Sequence, residues 1–172
     1  RAQQSSPPPG SPAATTTSFT VAAGAPKPDT PNLAKLKGGH FRIETDQGTV
    51  VEVSITIDTT TRSAIVDFTG TSPEQPTSFN APAPVTRAAV LYVFRVLADV
   101  SIPLNAGCLR PIEIRIPEGS MLRPRFPAPV VAGNTETSQI VTNALFAALG
   151  QLAPSQGTMN NLTFGNARVQ YY

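Results

Sequence analysis

Residues 41–70 read FRIETDQGTVVEVSITIDTTTRSAIVDFTG, and their alternation decides the fold class. Phe41 and Ile43 fall on one side of an extended chain, Arg42 and Glu44 on the other. Val51, Val53, Ile55 and Ile57 share a face, with Glu52, Ser54 and Thr56 opposite. Ala64, Val66 and Phe68 repeat the device, and Asp67 faces outward. A side-chain period of two marks strands with one buried face. TDQG (45–48) and DTTTR (58–62) supply the turn chemistry between them. The three segments therefore predict an antiparallel meander.

C-terminal to the meander, TSPEQPTSFNAPAP (71–84) holds four prolines and reads as a long irregular connection. Thr86 is the expected N-cap of a helix through RAAVLYVFRVLADV (87–100). Arg87, Arg95 and Asp99 are its only charges, and a helix apolar nearly all round is a buried helix. Ile112, Ile114 and Ile116 alternate with Glu113 and Arg115, predicting a further strand that PEGS (117–120) closes with a turn. RPRFPAPVVAGN (123–134) is extended and proline-bound. A second helix is expected to start at Thr135 or Thr137. Ile140, Val141, Ala144, Leu145 and Ala148 form its apolar stripe, and Gly150 is its stop. A neutral loop, SQGTMNNLTFGN (155–166), follows, and NARVQYY (166–172) opens another strand. The class is α+β: an antiparallel strand meander with two buried helices.

Residues 1–37 differ from the rest. They are rich in Pro, Ser, Thr and Ala and poor in large apolar side chains, so they cannot bury enough surface to offset the entropy of ordering. We expect a disordered or extended linker there, and a single folded domain over 38–172. The opening Arg, in place of Met, leads us to expect coding sequence upstream.

Only 14% of the chain is charged, against the roughly 25% of ordinary soluble domains, which implies that much of the surface meets other protein and that the chain enters an oligomer. The net charge of +2 comes without a basic stripe, and Arg123 and Arg125, the densest pair, have no interleaved aromatics; nucleic acid is not the expected partner. The single cysteine, Cys108, allows no internal disulfide and is expected as a small buried hydrophobe. The longest apolar stretch, Ala88 to Ala98, is broken by Arg95 and falls short of a membrane span of about 18 residues. The first residues lack the apolar core of a signal peptide, so a cytoplasmic location is expected.

The sequence has no phosphate-binding loop, no dinucleotide fingerprint and no metal-spaced His/Cys set. His40, the only histidine, is expected at a surface or strand edge. Two neutral polar stretches remain. VVAGNTETSQ (130–139) puts Asn134, Thr135, Glu136, Ser138 and Gln139 at the start of a helix. Free amides and a positive dipole end suit an anion there, Glu136 would interact favourably with that end, and simple capping is the plainer role. In SQGTMNNLTFGN, Gly157 permits close backbone approach, while Asn160 and Asn161 each offer two donors and an acceptor. Such a loop can hold a polar uncharged substrate or satisfy its own buried backbone.

Four segments in this order, DFTGTSPEQPTSFNAPAPVTRAAVLYVFRVL (67–97), IPLNAGCLRPIEIRIPEGSML (102–122), VVAGNTETSQ and SQGTMNNLTFGN, resemble the hydantoinase B/oxoprolinase family. This is the B-type half of ATP-dependent 5-oxoprolinases, N-methylhydantoinases and related carboxylases. The resemblance runs from about Gly38 to Tyr172 and is nearest in flavour to the 5-oxoprolinases. It implies an internal piece of a larger B-type subunit fold, preceded by 37 residues unlike the family and expected to be unrelated or out of frame. It implies that ATP with Mg is bound in a partner A-type (hydantoinase A/oxoprolinase) half, and that this chain binds neither cofactor nor metal. The metal ligands of relatives lie upstream of the matched region. The implied reaction opens a cyclic amide such as 5-oxoproline or a hydantoin, and the small-molecule partner is then a lactam. Asn134, Glu136, Gln139, Asn160 and Asn161 become the candidate substrate-binding residues, the four amides forming a neutral network with Gly157, while no catalytic residue is identified. Two alternatives stand beside this reading: a non-catalytic remnant that mediates subunit contact, and a subunit of an ATP-dependent carboxylase. The chain alone is expected to be incomplete and inactive.

Overall fold

A computed structural model describes residues 36–97, 105–151, 164–166 and 168–171. The meander is present: β1 (His40–Glu44), β2 (Val50–Asp58) and β3 (Ser63–Asp67) pair antiparallel in sequence order. Register follows the pattern of the sequence. Phe41 lies opposite Val53, and Ile55 opposite Val66. Both hairpins turn through left-handed residues, Gly48 (φ 75) in the first and Arg62 (φ 55) in the second. Asp58 Oδ1 accepts from the amides of Thr60 and Thr61 at 2.8 and 3.2 Å and holds the second turn.

The fourth strand, β4 (Ile112–Arg115), lies beside β3 and runs parallel to it, so the sheet is mixed. Alternation identifies a strand but carries no information on direction. The direction comes from the helix between them: α1 (Ala83–Leu97) returns the chain to the starting end of the sheet, as a parallel pairing requires. After β4, PEGS turns as expected, with Gly119 at φ 75 and the Ser120 hydroxyl donating to the Pro117 carbonyl at 2.7 Å.

The second helix, α2 (Ser138–Leu149), packs on β1 and β2, and α1 packs on α2. The core gathers Val51, Val53, Val66 and Phe68 from the sheet side, Val90 and Val93 from α1, and Val141 and Leu145 from α2, all fully buried. Gly39, before β1, lets the chain pass beneath α2: a Cβ there would lie 2.3 Å from the Ala148 carbonyl oxygen, and one on Gly38 would lie 2.3 Å from the Ile55 carbonyl oxygen of β2. Gly150 ends α2 in the left-handed conformation at φ 61, as its position in the sequence implies.

Both helices bury a face, as expected, α2 more completely than α1. α2 carries the narrower stripe yet is buried on most of its surface, including Phe146, Leu149 and Asn143, because it sits between the sheet and α1. α1, apolar all round, buries Thr86, Ala89, Val90, Val93 and Phe94 and leaves Tyr92 and Val96 open. It also begins three residues before the expected cap. Thr86 lies inside it, buried, with its hydroxyl 3.5 Å from the Leu122 carbonyl. Pro82 and Pro84 flank its start, where fixed φ and a missing N–H cost nothing. At the C-terminus, the strand expected from Asn166 is instead a short antiparallel pair, β5 (Phe164–Gly165) and β6 (Gln170–Tyr171). Asn166 Oδ1 accepts from the amides of Arg168 and Val169 and makes the turn between them. Among the described residues, no helix is long and apolar enough to cross a membrane.

Candidate functional site

Two of the five candidate residues, Asn134 and Glu136, share one turn, and a third, Gln139, stands at the start of the helix that follows it. Gly133–Thr137 forms a single π-helical turn that runs directly into α2. Gly133 is required there by contact: a Cβ would lie 2.6 Å from the Asn80 carbonyl oxygen and 2.9 Å from Ala81 Cα. The turn is tied to the Pro-rich connection on both flanks. The Ala132 amide donates to the Ser78 carbonyl at 3.0 Å, and the Thr137 hydroxyl to the Phe79 carbonyl at 2.7 Å.

Thr135 and Thr137 do not cap α2 through their side chains. Thr137 has helical φ and ψ and makes no side-chain cap bond, and the Thr135 hydroxyl turns to the Ala132 carbonyl and the Glu136 carboxylate. The wide turn absorbs the amides a cap would serve. Thr135 and Thr137 donate backbone N–H groups to the Ala132 carbonyl, Gly133 donates to Val130, and Ser138 to Gly133. An anion at this helix start would find those donors already engaged. Asn134 in the turn and Gln139 in the first turn of α2 expose neutral amides, and Glu136 is half-buried with its carboxylate accepting from Thr135. Asn160, Asn161 and Gly157 lie outside the described residues.

The residue that organises this region is one that pattern reading missed. Asn80 is fully buried. Its Nδ2 reaches the carbonyls of Gln75, Thr77 and Pro129 at 2.8, 3.0 and 2.9 Å, and its Oδ1 accepts from the Gln75 amide at 2.7 Å. One side chain thus fastens 75–80 to Pro129, in the irregular run before Gly133. A Pro-rich segment that crosses a core cannot satisfy its carbonyls by a regular ladder, and a lone Asn within it is the available signal.

His40 is exposed on edge strand β1, as expected, with a carboxylate neighbour: its Nε2 lies 2.9 Å from Glu52 Oε1. The open face of the sheet continues this pattern. Arg115 contacts Glu113 at 2.8 Å and Asp67 at 3.9 Å. Among the described residues, no group of three or more His, Cys, Asp and Glu side chains is placed to hold a metal. Cys108 is half-buried in a short 3-10 turn (Ala106–Leu109), which Asn105 caps by accepting from the Gly107 amide.

Comparison with known proteins agrees with this architecture. The family model described as hydantoinase B/oxoprolinase matches residues 29–172. 5-Oxoprolinase 1 of Arabidopsis thaliana is 53% identical over 127 residues, which are 74% of this chain and 10% of that protein. Among solved structures, an ATP-dependent caprolactamase from Pseudomonas jessenii superposes with a TM-score of 0.55 at 23% identity, over 73% of this chain and 23% of that one. A nucleotide-free acetone carboxylase superposes with a TM-score of 0.56 at 18% identity, over 70% of this chain and 18% of that one. At those identities the two structures establish the fold alone. The chain spans about a tenth of the length of the curated 5-oxoprolinases it matches.

Proposed function

Because the chain belongs to the hydantoinase B/oxoprolinase family, we propose that it is part of a cytoplasmic ATP-dependent amidohydrolase that opens a cyclic amide such as 5-oxoproline or a hydantoin. The observation that carries this reading is the 53% identity to a 5-oxoprolinase over most of the chain. The A-type half, with ATP and Mg, is the partner that activates the lactam, and the chain by itself is incomplete and inactive. Nothing in the sequence offers a phosphate cradle of its own.

Exposure supports a substrate role for this turn and the start of α2. A lactam presents one carbonyl acceptor and one N–H donor, and carries no charge on the bond to be broken. Asn134 and Gln139 offer NH₂ groups to such a carbonyl, and the Glu136 carboxylate, steadied by the Thr135 hydroxyl, is an acceptor for the N–H. Asn160 and Asn161 add further amides to the proposed substrate-binding set. Neutral donors lower the desolvation cost of closing a site over the neutral amide group of the substrate.

The test uses an intact relative. In 5-oxoprolinase 1 of Arabidopsis thaliana, the residues aligned with Asn134, Gln139, Asn160 and Asn161 are replaced singly by Ala, and lactam-dependent ATP hydrolysis is measured beside thermal melts. Loss of one substrate hydrogen bond should lower turnover about tenfold, the equivalent of about 1.4 kcal/mol, with an unchanged melt. Wild-type turnover in all four variants would remove the substrate role.

The acetone carboxylase likeness favours one second reading, a subunit of an ATP-dependent carboxylase, because the fold matches both solved structures about equally. Dependence of ATP turnover on bicarbonate separates the two. A non-catalytic contact fragment, the remaining reading, predicts no turnover with any A-type partner.

A further inference from the structure

Helix α1 is apolar on two opposite sides. One side is the core face already described. Around the other, Ala88, Tyr92 and Val96 recur at four-residue spacing, with Tyr92 56% and Val96 50% exposed. The Tyr92 ring stands edge-on to Phe146 of α2, centroids 6.5 Å apart at 81°, so the open patch extends over the seam between the helices. The rim is basic. Arg87 is exposed, the helix holds no acidic residue, and Arg95 carries a buried Nη1 that has no hydrogen-bond partner among the described residues. A guanidinium nitrogen shut away from water without an acceptor is an unfinished interaction.

We infer that the Tyr92–Val96 face of α1 is an internal interface of a longer polypeptide, covered by a segment that family members carry outside the span matched here. That segment presents apolar side chains to Tyr92 and Val96 and a carboxylate to Arg95. Length identifies the occupant: the match takes in about a tenth of the 5-oxoprolinases, so most of such a polypeptide is available to close over this face. Charge gives its chemistry: a stripe flanked by Arg87 and Arg95 is complemented by acidic residues. The same charges oppose a second copy, because a two-fold contact through this face would set arginine against arginine. The inference rests on the family assignment and is independent of which substrate the enzyme takes.

Two measurements test it. In full-length 5-oxoprolinase 1 of Arabidopsis thaliana, a photo-crosslinking benzoylphenylalanine replaces the residue aligned with Tyr92, and a control replaces the residue aligned with Ser54 on the open sheet face. Mass spectrometry should find the first cross-linked within the same polypeptide, to a peptide outside the aligned 127 residues. A cross-link to a second copy, or yield no higher than the Ser54 control, overturns the inference. In the 172-residue chain, the uncovered face should bind a hydrophobic dye, and Val96→Asp or Tyr92→Asp should cut that binding about threefold or more with an unchanged melt. Dye binding absent from the wild type, or unaltered in both variants, overturns it equally.

Discussion

Replacing Asn80 is the sharpest perturbation of the candidate site that leaves its exposed residues untouched. Asn80→Ala removes one amide from a fully buried position. Nδ2 has two hydrogens for the three carbonyls of Gln75, Thr77 and Pro129, so one is shared, and Oδ1 takes a third hydrogen from the Gln75 amide. Three hydrogen-bonding hydrogens at a net value of about 1 kcal/mol each give a loss of about 3 kcal/mol, and an amide left dry would raise it. For a domain of this size that loss lowers Tm by roughly 6–12 °C. Asn80→Asp, nearly isosteric, keeps the acceptor for Gln75 and turns an oxygen toward three carbonyls, so at neutral pH it should destabilise at least as much as Ala. Thermal melts of wild type and both variants, followed by circular dichroism, measure this. A loss under about 1 kcal/mol for both would refute the assignment of Asn80 as the tie between the connection and the helix start.

Gly133→Ala forces a methyl group to within 2.6 Å of the Asn80 carbonyl oxygen, so overpacking should cost about 1–3 kcal/mol, read from the same melts; a wild-type Tm would show that the turn relaxes freely. The Thr69 hydroxyl above all, then the Thr69 amide at 2.8 Å and the charge of Arg115, hold the Asp67 carboxyl below its ordinary pKa, while partial burial opposes them. The stabilisation is therefore present above the ordinary carboxylate range and lost as pH falls through it toward the lower folded value. Asp67→Asn should flatten that acid limb in stability measured against pH, and a limb as steep as the wild type's would count against the contribution.

Much of the fold is legible in local pattern. The period of two across 41–68 placed β1, β2 and β3 and their buried faces, since alternation is a property of the extended backbone itself. Gly150 as a helix stop and PEGS as a turn follow from local conformational freedom in the same way. Four segments of sequence were enough to suggest the family that the comparisons establish.

What the pattern missed depends on partners distant in the chain. The parallel direction of β4 is set by where α1 delivers it. Thr86, Thr135 and Thr137 look like caps by residue type. Tertiary contacts with Leu122 and Phe79, and a wide turn that absorbs amides within the backbone, assign Thr86 and Thr137 other work. Asn134, Glu136 and Gln139 could be grouped from their spacing, but the turn that carries the first two is held against Asn80 and Ala81 by Gly133, a contact no pattern shows. Asn80 itself bonds a carbonyl 49 residues away, a relation no local window contains. Periodicity reports which face of an element is apolar; only the packed chain decides which face finds a partner.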